Sequence, residues 1–128
     1  MPGCESVAGN KAVPVSRFWH SPWLHFGLWV GFVFGLSSIP DLKPPAAGVP
    51  GVDKLFHAGE YAVLGWLWGR ARGRARAGLV RGALLGLGVG VADELYQGSV
   101  PGREVDLFDV AADTVGAALG CSVSSRWT

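Results

Sequence analysis

Charge is what this chain lacks most. Asp, Glu, Lys and Arg make up only 16% of its 128 residues, against about 25% in an average soluble domain. Cysteine is nearly absent too: Cys4 and Cys121 both fall on the side assigned below to the cytoplasm, where thiols stay reduced, so neither a disulfide nor a cysteine metal pair is expected. No small-residue cleavage site closes the first apolar run, so it reads as a retained helix and not a removable leader. A nucleophile in a recognisable catalytic setting is also missing. What abounds is apolar: 49% hydrophobic residues, with twenty glycines and six tryptophans, in a length that suits one domain. That mixture points to a membrane protein.

The stretch FWHSPWLHFGLWVGFVFGLSSI, from Phe18 to Ile39, holds 22 residues without a formal charge, enough at about 1.5 Å per residue to cross a hydrocarbon core of about 30 Å. It is the clearest span. Phe18, Trp19 and Trp23 gather at its start like an interfacial belt, and Pro22 sits within the first turns, where proline is tolerated. Three further segments, Leu55 to Gly69, Leu79 to Gln97 and Asp106 to Ser122, each carry charge, and the first of them spans only if both its ends snorkel or its helix starts earlier, near Asp53. Within the second, GALLGLGVGV is apolar on every side, where a helix of a water-soluble bundle would be polar on one. Glycines recur every four residues at Gly27, Gly31 and Gly35, at Gly82, Gly86 and Gly90, and in the pairs Gly65 with Gly69 and Gly116 with Gly120. Such faces let helices approach closely in lipid. The predicted fold is all-α, a bundle of four transmembrane helices, with an N-terminal tail at 1–17, a membrane domain at 18–123 and a C-terminal tail at 124–128.

Arg70, Arg72, Arg74, Arg76 and Arg81 lie between the second and third helices, which by the positive-inside rule places that loop and both termini in the cytoplasm. Eight of the eleven basic residues then lie inside and nine of the ten acidic ones outside. A short arginine-rich loop between spans calls for no nucleic acid, and none is expected as a partner.

The acidic residues concentrate in ADELYQGSVPGREVDLFDVAAD, residues 92 to 113, which carries seven charges, six of them negative. Asp106, Asp109 and Asp113 are spaced i, i+3, i+7 and share a helix face. Asp93, Glu94 and Gln97 close the outer end of the third helix, and Asp53, His57, Glu60 and Tyr61 share one side of the second. A carboxylate left charged and unpaired at that depth costs at least about 2.5 kcal/mol, so these groups need cations, protons or a metal. Arg103 is expected to hold at least two of Glu94, Asp106 and Asp109, because its guanidinium grips a carboxylate bidentately; Lys54 and a protonated His57 are the other candidate cations. Two readings stay open: a structural clamp on the outer helix ends, or a site for an anionic or sugar headgroup.

DKLFHAGEYAVLG, then ELYQGSVPGREVDLFDVAADTVGAALG, with SSIPDLKPP after the first helix, resembles the pattern of VanZ-like membrane proteins over residues 36 to 120. The resemblance implies a multi-pass bacterial plasma-membrane protein, in a family whose named member lowers susceptibility to the lipoglycopeptide teicoplanin. Asp53, Lys54, His57, Tyr61, Glu94, Gln97, Arg103, Asp106 and Asp109 fall on the family's motif positions, whereas Asp113 stands where the family commonly has Asn and Ala58 where Phe is common. One function this implies is recognition of an envelope lipid, a lipid-linked cell-wall precursor or a lipoglycopeptide through Asp53, Lys54, Tyr61, Gln97, Arg103, Asp106, Asp109 and Asp113. The other is an enzyme acting on a lipid-linked substrate, with His57 or Glu94 as general base and a divalent metal on Glu94, Asp106 and Asp109. An all-oxygen set would favour Mg²⁺ or Ca²⁺ over Zn²⁺. No cofactor is assigned, no metal is firmly predicted, and assembly into a homo-oligomer is left open.

Overall fold

A computed structural model describes residues 19–43, 48–73 and 78–127, and among these the chain forms four helices and no strand. They are α1 (Pro22–Ser37), α2 (Val52–Arg72), α3 (Leu79–Gln97) and α4 (Leu107–Trp127). Pro22 opens α1, since it lacks the N–H that a first turn leaves unpaired. The helix closes where the Ser38 N–H and Oγ turn back onto the Phe34 carbonyl at 3.0 and 2.7 Å. α1 is therefore 16 residues long, about 24 Å of rise, and falls short of the 22-residue run expected as the clearest span. Length and apolarity single out α4 instead. Its Leu107–Arg126 segment, 20 residues at a mean hydropathy of 1.3, is the one stretch among the described residues that meets both measures for crossing a membrane. The helix continues into residues 124–127, a segment expected to be a tail.

α4 is the centre of the packing. Gly116 passes so close to the Ala58 carbonyl of α2, and Gly120 to that of Ala62, that neither position has room for a Cβ. On the other side, a Cβ at Gly82 of α3 would stand 2.6 Å from the Ala117 carbonyl and one at Gly86 2.7 Å from that of Asp113. These pairings run in the same sequence order for α2 and α4 and in opposite order for α3 and α4. α2 is thus parallel to α4 and α3 antiparallel to it.

α1 meets the others differently from expectation. Phe26, Trp29, Val30 and Val33, at i, i+3, i+4 and i+7, form the face that packs onto Tyr61, Leu64 and Ala117, and Trp29 Nε1 donates to the Glu60 carbonyl at 2.9 Å. The α1 glycines take no part in close contact, because nothing lies within 4 Å of a Cβ built at Gly27, Gly31 or Gly35. Bulky side chains on the neighbouring face make the contact and hold the backbones apart. Where α3 and α4 meet α2, small residues line the interior; large apolar ones such as Leu28, Leu55, Leu84, Leu95 and Phe108 face outward.

The C-terminal ends of α1 and α3 meet where Gln97 Nε2 donates to Ser37 Oγ at 3.0 Å. The N-terminal ends of α2 and α4 lie at that same end of the bundle, joined by Lys54 and Asp106. At the opposite end the guanidiniums of Arg70 and Arg72 stack over Trp66 and Trp68, 4.9 and 5.3 Å from the ring centres.

Candidate functional site

The four helix ends bring most of the anticipated polar residues together, but around a different cation. Lys54, in the first turn of α2, reaches across to α4: its ammonium lies 2.8 Å from Asp53, 2.5 Å from Asp106 and 2.7 Å from Asp109. Arg103 pairs with no carboxylate among the described residues. Its guanidinium donates to the carbonyls of Leu36 at 2.9 Å and Leu42 at 3.4 Å, so it caps the end of α1, where carbonyls lack helical partners. The reason lies in the loop. Gly102, at φ 78°, turns the chain so tightly against Asp41 that any larger residue would collide with that carboxylate, and the turn delivers Arg103 to α1 instead of to α4.

Asp106 caps α4, its Oδ1 accepting the Phe108 N–H at 2.8 Å. Lying ahead of the helix, its carboxyl is held below the ordinary carboxylate range, chiefly by the Lys54 ammonium and secondarily by the Phe108 N–H. Glu94 completes this start from another helix: its Oε2 accepts the Asp106 N–H at 2.8 Å, as a glutamate three residues into the helix does in a capping box. Asp106 therefore meets Glu94 through its backbone and turns its carboxylate to Lys54.

One turn deeper, His57 Nδ1 lies 3.0 Å from Oδ1 of Asp113, which is fully buried, while its Nε2 lies 3.6 Å from Asp109 Oδ2. A carboxylate can only accept, so Nδ1 donates and Nε2 faces Asp109. Gln97 bridges Ser37 and Asp93, donating to both at 3.0 Å. Ser37 was not anticipated from sequence; its only signal there is its place at the end of the run that leads into SSIPDLKPP.

A cavity of about 500 Å³ opens over this network, lined among others by Asp53, Phe56, His57, Gln97, Arg103 and Asp109. Lys54, Glu94, Asp106 and Asp113 do not line it. Tyr61 does not reach the cavity: it is wholly buried in the core, and its hydroxyl has no hydrogen-bond partner among the described residues. A second cavity of about 420 Å³, almost entirely apolar, runs beside the first between α1 and α2, lined by Trp29, Val52, Leu55, Gly59 and Val63. The two share Phe56 and Glu60.

Fold and site define a helical bundle packed through glycine, with a carboxylate-rich pocket at one end and arginines at the other. The model of the VanZ/LLP1 family matches residues 11–127, and the chain belongs to that family. Nothing matches it among curated proteins or among solved structures.

Proposed function

We propose that this protein crosses the bacterial plasma membrane with all four helices and uses its acidic pocket, opening on the outer side, to hold the polar head of an amphiphile. That amphiphile is an envelope lipid, a lipid-linked cell-wall precursor or a lipid-tailed glycopeptide of the teicoplanin kind. The observation that carries the reading is the adjacency of the two cavities. A chamber lined by charged groups as well as by Leu36, Leu42 and Phe56 lies beside an apolar groove on the flank of α1 and α2, and Phe56 and Glu60 line both. A headgroup in the first and an acyl chain in the second satisfy both linings, which no wholly polar ligand does.

Family membership and the apolar α4 support a membrane setting. So does the outward ring of large apolar side chains, which in water would form patches of the kind monomers avoid. The arginine–tryptophan pairs at the far end suit the cytoplasmic interface. α1, at 16 residues, reaches across through flanking residues and local thinning of the bilayer. A second reading, chemistry on the bound lipid, is favoured by the His57–Asp113 pair, which has the layout of a base held by an orienting carboxylate.

Gly59 tests the amphiphile reading. It lines the apolar groove, and a Cβ there meets nothing within 4 Å, so Gly59→Leu fills the groove with the fold intact. Native mass spectrometry of the protein released from membranes should show bound lipid on the wild type and its loss in the variant. Equal lipid retention by both would count against the groove.

A further inference from the structure

Two clusters at this end of the bundle have ligand-type atoms within 4.8 Å of one another: Asp53, Asp106 and Asp109, and His57, Glu94 and Asp109. The first already holds a cation, since the Lys54 ammonium touches all three carboxylates. In the second it touches Asp109 alone, through Oδ1. We infer that His57 Nε2, Glu94 Oε1 and Asp109 Oδ2 form a binding site for a divalent cation of the Zn²⁺ or Mn²⁺ class.

Glu94 is only 2% exposed, and with Oε2 engaged by the Asp106 N–H its Oε1 is left buried without a hydrogen-bond partner. A buried carboxylate oxygen with no partner is costly unless something positive meets it. Asp109 divides its two oxygens, Oδ1 toward Lys54 and Oδ2 toward His57. The Nε2 to Oδ2 separation of 3.6 Å is close to the roughly 3.4 Å between two ligands that sit about 2.1 Å from one tetrahedral metal.

Behind the imidazole, Asp113 accepts from Nδ1 at 3.0 Å and is wholly buried. A carboxylate behind a ligating histidine fixes the tautomer and the ring, the arrangement that second-shell partners of metal sites adopt. Asp113 is thus a positioning residue. One imidazole with two carboxylates suits Zn²⁺ or Mn²⁺ better than Mg²⁺ or Ca²⁺, which take oxygen sets. With the cation in place, His57 is a ligand and not a base.

The test uses the full chain in detergent micelles, stripped with chelator and titrated calorimetrically with ZnCl₂, MnCl₂ and, for contrast, MgCl₂. Zn²⁺ or Mn²⁺ should saturate at a single ion per chain and raise the thermal midpoint, with Mg²⁺ far weaker. His57→Gln and Asp113→Asn should each weaken binding roughly 10- to 100-fold. X-ray absorption on the loaded wild type, which needs no variant to fold, should show one imidazole among oxygen ligands. Absence of saturable binding, undiminished binding by His57→Gln, or an ion with oxygen ligands alone would each overturn the site. The assay contains no envelope lipid, so its failure leaves the amphiphile reading standing, and lipid retention without metal overturns this inference only.

Discussion

Lys54 Nζ lies 2.5 Å from Asp106 Oδ2, and this one contact joins the first turn of α2 to the cap of α4. Together with Asp53 and Asp109 it gives three carboxylates a single shared cation. Lys54→Met should lower stability in detergent by roughly 1–3 kcal/mol, less than for a fully buried pair because the lysine is partly exposed. Lys54→Arg should recover much of that. An unchanged thermal midpoint in Lys54→Met would show that the carboxylates are held some other way.

Arg103 is expected to act locally. Arg103→Ala removes the donors to the Leu36 and Leu42 carbonyls and should cost about 1–2 kcal/mol. Hydrogen exchange should quicken around residues 36 to 42 and stay slow in the first turn of α4. Quickening confined to α4 would return the guanidinium to the carboxylates.

Much of this site is legible in sequence because helical periodicity is rigid. The spacing of Asp109 and Asp113 fixes one face of α4 whatever surrounds it, with Asp106 just ahead as the cap, and the matching positions in the second and third helices place their polar groups at the same end. The partner of each group is not legible. Whether Lys54 or Arg103 meets the acids depends on the turn at Gly102 against Asp41, a relation between two loops that no periodicity records. The α1 glycines mislead for a similar reason: a spacing of four describes a face without saying whether a neighbour covers it.

Two glycine substitutions separate covered from open faces. Gly86→Leu drives a side chain into the Asp113 backbone of α4 and should cost about 2 kcal/mol or more. Gly31→Leu enters open space and should change stability by no more than about 0.5 kcal/mol. Thermal unfolding in detergent compares them. Equal effects would contradict the packing of α3 on α4.

Sidedness can be read with a single introduced thiol once Cys4 and Cys121 are replaced by serine. A cysteine in place of Ser99, which is exposed beside the pocket, should react with an impermeant maleimide added to intact cells, and one in place of Arg72 at the far end should react only after permeabilisation. The reverse pattern would turn the pocket toward the cytoplasm.

In the proposed complex a lipid's head sits in the acidic pocket while its tail follows the groove beside Phe56. Photo-crosslinking in membrane vesicles tests it most directly, using a phosphatidylglycerol analogue with a diazirine on its acyl chain and peptide mapping by mass spectrometry. Adducts should concentrate on the groove residues Trp29, Leu55, Phe56 and Val63 and fall when Gly59→Leu fills the groove. Adducts spread evenly over outward residues such as Leu28, Leu84 and Leu95, and unaffected by that substitution, would contradict it.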